Sequence, residues 1–223
     1  MRLVDRQLIL NIQPEAPPRF DNFLPGDNLE LLLALDTFAR GELSETVIYL
    51  WGAAGSGRSH LLQATVAAAR GQGGEASYHA GGPLPDSLAG LCAVDDVERL
   101  DPADQVRLFS LINQAREGAG RVLAAGAAAP AQLDLRADLV TRLGWGLVFA
   151  LHPLNEADRA TALRELAAAR GFVLADDVLR YLLAHCRRDL PSLLATLDAL
   201  DRHSLSRKRP LTVPLVKEFL SGA

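Results

Sequence analysis

Apolar residues are spaced along this chain in two different ways, and the change comes near Pro153. Before it, five short apolar runs alternate with stretches of helical period: Val47–Trp51, Ala76–His79, Leu91–Val94, Arg121–Ala125 and Leu147–Leu151. Helices are expected at Leu29–Arg40, capped by Asn28 and stopped by Gly41, and near Ser59–Arg70, Pro102–Glu117 and Leu135–Leu143. Unbroken apolar strands separated by helices predict a parallel sheet covered on both faces, with right-handed crossovers. The fold class is therefore α/β. After Pro153 only helical patterns remain. Asn155 is placed to cap Glu156–Arg170, which Gly171 closes, and further helices are expected near Ala175–Cys186 and from Pro191 to about Ser204. The last follows Thr212, tolerates Pro214 in its first turn and reaches Leu220. The organisation expected is an N-terminal segment over residues 1–18, an α/β domain over 19–153 and a small helical domain over 154–223. The first segment holds Gln13-Pro14-Glu15-Ala16-Pro17-Pro18, whose prolines keep it extended.

Composition narrows this picture only a little. The chain has 223 residues, 49% hydrophobic and 22% charged, with a net charge of −4, an ordinary folded balance. A negative charge argues against a protein whose main task is gripping a nucleic acid backbone; any DNA contact is expected to be indirect or weak. Cys92 and Cys186 lie far apart with no metal-ligand spacing, so a reducing, cytoplasmic setting is expected, with Cys92 an inert buried thiol. No run of ~20 apolar residues predicts a membrane span. The N-terminal MRLVDRQLIL lacks the pattern of a secretory leader. Arg207-Lys208-Arg209 reads as a solvated loop, or else as a contact for phosphate or a partner.

The chemistry sits where the first apolar run ends. Gly52-Ala53-Ala54-Gly55-Ser56-Gly57-Arg58-Ser59 joins a strand to a helix in the P-loop pattern, with arginine in the lysine position. Gly52, Gly55 and Gly57 let backbone amides turn inward around phosphate oxygens, and the helix N-terminus adds its dipole. Ser56, Arg58, Ser59 and His60 complete the candidate nucleotide contacts, with the Ser59 hydroxyl placed to hold Mg²⁺. A plain strand–helix turn is the bland alternative. Arg58 can grip a diphosphate bidentately, but its planar guanidinium is a poor substitute for lysine in γ-phosphoryl transfer. Leu91-Cys92-Ala93-Val94-Asp95-Asp96 is an apolar strand ending in two carboxylates, a Walker B pattern. Asp95 is the candidate Mg²⁺ ligand through water, and Asp96 a weak candidate for orienting an attacking water. Strand ends followed by aspartate are also common helix caps. A parallel α/β domain with a P-loop, followed by a helical lid, is the AAA+ layout.

The chain resembles the Hda family, regulatory inactivators of the bacterial initiator DnaA. The resemblance rests on Phe20-Asp21-Asn22-Phe23-Leu24-Pro25-Gly26-Asp27-Asn28, Tyr49-Leu50-Trp51 and Gly57-Arg58-Ser59-His60-Leu61-Leu62. It continues in Leu143-Gly144-Trp145-Gly146 and Leu211-Thr212-Val213-Pro214-Leu215-Val216-Lys217-Glu218. It implies a clamp-binding hexapeptide at Gln7-Leu8-Ile9-Leu10-Asn11-Ile12, with Gln7 in a polar subsite and Leu8, Leu10 and Ile12 in an apolar groove of the sliding clamp (β subunit). Asn11 and Ile12 depart from the more usual proline and leucine, and a first strand or packing tail is the alternative. It also implies that Phe20–Asn28 covers the adenine and ribose, with Phe20 and Asn28 as contacts; a hydrophobic staple on the next helix is compatible with this. Arg142 corresponds to an arginine finger acting in trans on a DnaA subunit, and Arg188, beside Arg187, to the lid's sensor arginine. Ala127 stands where a polar sensor is usual.

The function these readings imply is an ADP-binding regulator of replication initiation. With the DNA-loaded clamp it would stimulate hydrolysis of the ATP held by DnaA and so prevent re-initiation. Its own nucleotide would be ADP or ATP, with Mg²⁺, and turnover in its own site would be weak or nil. The alternatives are a self-contained AAA+ ATPase and a clamp-loader-like subunit. Self-association is left open. The sequence shows no helix-turn-helix module after the lid pattern, so a full initiator is not expected.

Overall fold

A computed structural model describes residues 17–186 and 190–221. These divide into two compact units, Pro18–Asp158 and the residues from Arg159 onward. In the first, five parallel strands lie in the order β2-β3-β4-β1-β5. They are β1 Val47–Trp51, β2 Ala76–Ala80, β3 Gly90–Asp95, β4 Gly120–Gly126 and β5 Leu147–Ala150. The central strands β3, β4 and β1 are buried almost throughout, which is why their apolar runs are unbroken. The outer strands β2 and β5 are only half-buried.

Side chains alternate across the sheet and feed two separate cores. Val47, Tyr49, Cys92, Val94, Val122 and Ala124 pack with Leu108, Leu111 and Ile112 of α3 (Pro102–Arg116) and with Leu139 and Leu143 of α4 (Ala137–Leu143). Ile48, Leu50, Leu91, Ala93, Leu123 and Ala125 pack with Leu31, Leu35 and Phe38 of α1 (Leu29–Arg40) and with Leu61, Leu62 and Val66 of α2 (Arg58–Gly71). Cys92 lies in the first of these cores, where burial pushes its thiol pKa up, as expected of an inert thiol.

The helices of this unit fall where the periodicity places them, with two informative differences. α4 starts at Ala137, not Leu135, because the Arg136 N–H donates to Oε1 of Gln105 and holds its backbone in a non-helical geometry. Asn28 precedes α1 but makes no side-chain cap; its carboxamide is used elsewhere. Nδ2 of Asn28 donates to the carbonyls of Pro25 and His152, and Oδ1 accepts the His152 N–H at 2.7 Å. This buried amide ties the segment before α1 to the exit of β5. Replacing it by alanine strands the His152 N–H and carbonyl, while the Pro25 carbonyl keeps the backbone N–H of residue 28, so Asn28→Ala is expected to destabilise the unit by about 2–4 kcal/mol. Urea unfolding followed by tryptophan fluorescence measures this.

From Glu156 the chain forms α5 (Glu156–Ala169), α6 (Asp176–His185), α7 (Leu190–Arg207) and α8 (Val213–Leu220). Oδ1 of Asn155 accepts the Asp158 N–H at 2.9 Å, the cap that the sequence predicts. Gly171, at φ 82°, turns the chain after α5, and Pro214 stands in the first turn of α8. Leu163, Leu179, Leu182, Leu197 and Val216 share one core in this unit. The Arg207-Lys208-Arg209 stretch is not simply a solvated loop: both arginines pair with Glu218, at 3.2 and 3.0 Å, stapling α7 to α8. Among the described residues no helix is long and apolar enough to cross a membrane.

Candidate nucleotide site and arginine cleft

β1 delivers the chain into a loop that only glycine permits. Gly55 and Gly57 have φ of 76° and 103°, a region that side chains disfavour. At Gly57 a Cβ would also lie 2.6 Å from Cε2 of Phe23. Phe23 thus lies against the loop, and its ring stands 5.5 Å from that of His60. Nε2 of His60 reaches the carbonyl of Arg19 at 2.9 Å, so the short 3-10 turn Phe20–Asn22 is tied to the first turn of α2. Phe20 and Phe23 both also pack on the core shared by α1 and α2. Sequence reasoning did not single out Phe23; its neighbourhood with Gly57 is tertiary and has no periodic signal. Within the loop, Oγ of Ser56 is buried with no hydrogen-bond partner among the described residues. An orphaned hydroxyl in a loop of this shape suits a phosphate oxygen.

Arg58 opens α2 and folds back over the loop. Nη1 donates to the Gly52 carbonyl at 3.0 Å and Nη2 to Oδ1 of Asp96 at 3.3 Å. The Arg58 side chain is only 11% exposed and that of Asp96 29%. Asp96 has a left-handed backbone, φ 48° and ψ 52°, and Oδ2 of its carboxylate also meets Nη1 of Arg99 at 3.5 Å. The carboxylate read as a weak candidate for water activation is therefore held between two guanidiniums.

Asp95, buried at the end of β3, uses both oxygens: Oδ1 accepts the Asp96 N–H and Oδ2 the Tyr78 hydroxyl, each at 2.9 Å. Each oxygen keeps lone-pair capacity for one more donor, so the carboxylate can accept a hydrogen bond from a metal-bound water. Tyr78 was not foreseen. Burial first, then Asp95, raises its phenol pKa, against a lowering by Gln63 and Ser59, which places the phenol among Asp95, Ser59 and Gln63. These residues fit Mg²⁺ held by the Ser59 hydroxyl and, through water, by Asp95; the ion would supply charge neutralisation for a bound diphosphate. β4 ends at Gly126, and Ala127 to Ala129 follow with no polar side chain. The Ala128 carbonyl accepts the Tyr49 hydroxyl at 2.7 Å.

Arg142 lies elsewhere in the same unit. It stands in the last turn of α4, and its Nε donates to Oδ1 of Asn113 at 3.0 Å. Its guanidinium carbon lies 3.3 Å from the centroid of Trp145 and 5.0 Å from that of Phe109, while Arg116 lies 4.0 Å from the Trp145 centroid. Asn113, Arg116, Glu117, Arg142 and Trp145 line one open cleft. Among the described residues neither Arg116 nor Arg142 has an ion-pair partner. Arg136, the other arginine beside α4, is bound to Asp138 at 2.7 Å.

The topology separates this cleft from the P-loop. A Cβ on Gly146 would fall 1.9 Å from the Val47 carbonyl, so Trp145 and Gly146 sit beside the start of β1. Gly52 follows the end of β1. Five residues of strand, roughly 16 Å, lie between the two ends. Of the other expected site residues, Arg188 and its neighbour Arg187, and Gln7, Leu8, Leu10 and Ile12, lie outside the described residues.

A five-stranded parallel sheet with a P-loop after its inner strand β1, a Walker B carboxylate on β3 and a helical unit following in the chain define a P-loop module of the AAA+ class. Residues 156–220 match the family model of the Hda lid domain. Domain III of the replication initiation protein DnaA from Thermotoga maritima superposes with a TM-score of 0.79 at 20% identity, covering 94% of this chain and 98% of that one. AMPPCP-bound DnaA from Aquifex aeolicus gives 0.71 at 20% identity, over 82% of this chain and 65% of that one. The RuvB Holliday junction branch migration motor of Thermotoga maritima gives 0.70 at 16%, over 92% and 72%. In fold the chain is a DnaA-like AAA+ protein, and its residues 156–220 are similar to the Hda lid.

Proposed function

We propose that this chain is a DnaA-related regulator of replication that binds ADP in its own P-loop and supplies Arg142 to nucleotide held by a neighbouring DnaA. The observation that carries this reading is the separation of Arg142 from its home P-loop by the length of β1. A finger at the start of the strands cannot reach a phosphate at their ends. It can reach one on a neighbour whose strand ends face it. Asn113 and Trp145 hold the guanidinium in one place, which lowers the ordering cost of docking. On docking, its planar fork would offset charge developing on the γ-phosphoryl oxygens of the partner's ATP.

The home site serves binding in this reading. Gly55, Gly57, Ser56 and Ser59 would surround a diphosphate, with Arg58 as its cation and Phe23 and Phe20 toward the nucleoside side. Arg58 shares its guanidinium with Asp96, and no polar side chain follows β4 at Ala127, so hydrolysis there would be weak. The Gln7–Ile12 segment would bring the module to the sliding clamp. Two measurements test the whole. Saturating ADP should raise the melting temperature by several degrees through mass action. Hydrolysis of DnaA-bound ATP should rise when this protein is added with clamp on DNA, and much less without clamp. An unchanged melting curve with ADP and ATP removes the home site; no stimulation of DnaA removes the regulatory reading.

A further inference from the structure

The Arg58–Asp96 pair has a consequence for what the P-loop accepts. Among the described residues Arg58 is the only guanidinium or ammonium group on the loop, and one N–H of each terminal nitrogen is already given to the Gly52 carbonyl and to Asp96. Carboxylate and phosphate oxygens compete for the same fork of N–H donors. Asp96 is held in place for that competition by its left-handed backbone, which the Asp95 carboxylate fixes by accepting the Asp96 N–H. Asp96 also has a second cation ready: Arg99, whose side chain is 74% exposed, meets its other oxygen. Loss of Arg58 would therefore leave Asp96 paired, while the buried Ser56 hydroxyl gains the acceptor that it lacks.

We infer that Asp96 sets the diphosphate affinity of the phosphate site, as an internal competitor that a nucleoside diphosphate must displace from Arg58. Only a ligand that offers Arg58 a better acceptor than one carboxylate frees it. A terminal β-phosphate, with several oxygens and more than one charge, does so; a nucleoside, or a monophosphate whose only phosphate lies nearer the sugar, does not. Asp96 thus weakens ADP while leaving AMP untouched, and so compresses the preference for diphosphate over monophosphate. It is not a hydrolytic base in this arrangement. The inference rests on the reading of the P-loop as a nucleotide site.

The test is calorimetric titration of the full chain with ADP and AMP, using wild type, Asp96→Asn, Arg58→Ala and the double variant. Asp96→Asn keeps shape and removes the competing charge. It should tighten ADP roughly tenfold, the scale of one charge-assisted hydrogen bond, and so widen the ADP-to-AMP ratio. In the Arg58→Ala background the same change should have little effect on either ligand, because no guanidinium remains to be released. Unchanged or weaker ADP binding by Asp96→Asn would overturn the inference. So would a gain of equal size without Arg58, which would mark simple charge repulsion. If wild type binds ADP but the ratio to AMP is unmoved by Asp96→Asn, the nucleotide site stands and the competitor role falls. If none of the four proteins binds ADP, both fall. Thermal melting of each variant checks the fold, and Asp96→Ser gives the same readout should the asparagine variant melt early.

Discussion

Arg142→Ala should fold, bind ADP as wild type does, and lose nearly all stimulation of ATP hydrolysis by DnaA. The side chain is half-exposed at the end of a short helix, so its loss removes little core; Asn113 and Trp145 keep solvent access. A finger acts on charge that develops in the transition state, so the effect falls on rate far more than on binding. Fingers of this kind contribute ~10³–10⁵ in rate, and the stimulated component should drop by a comparable factor. Arg142→Lys should restore little, because an ammonium lacks the planar fork and stacks poorly on Trp145. Single-turnover hydrolysis of DnaA-bound ATP, with clamp on DNA, separates the variants. Wild-type stimulation by Arg142→Ala would end the assignment. Arg136 is then a weaker fallback than its sequence position suggests, since Asp138 already holds it.

Gly57→Val should be the most damaging single change at the home site. The residue has φ 103°, where a β-branched side chain is strained, and its first carbon would strike the Phe23 ring at 2.6 Å. Relief requires the loop to rotate or Phe23 to leave, and either change misplaces the amides that face a phosphate. The expected result is a loss of about 2–4 kcal/mol in stability together with loss of the ADP-induced melting shift. Phe23→Ala in the Gly57→Ala background isolates the two causes: the double variant should recover the steric part and keep the backbone part. Recovery of full ADP binding in Gly57→Val would mean that the loop does not contact phosphate.

The sheet was legible because its central strands are buried on both faces, so apolar runs such as Val47–Trp51 and Leu91–Val94 carry the assignment alone. The P-loop was legible because the constraint on Gly55 and Gly57 is local: backbone torsion selects glycine whatever surrounds it. What sequence could not supply were meetings across the fold. Asn28 has the right residue type for a helix cap, yet His152, 124 positions away, takes its carboxamide. Asp96 reads as a catalytic carboxylate in its motif, and only the approach of Arg58 shows it engaged. Tyr78 sits in a stretch whose spacing says only strand, and Phe23 in one that the resemblance places over the nucleotide without saying what its ring meets. Their partners, Asp95 and Gly57, come from other elements.

The placement of Arg142 and the P-loop at opposite ends of parallel strands gives the module a direction. A subunit of this kind joins its neighbours head to tail, donating at one end and accepting at the other, and such contacts build open stacks unless rotation closes them into a ring. A subunit that donates a finger well but turns over its own nucleotide poorly is unequal at its two ends. Placed last in a row of active ATPases, such a subunit would trigger the neighbour it faces and offer no productive position behind itself. Under the proposed function, the asymmetry that would make it an activator would also make it a terminus.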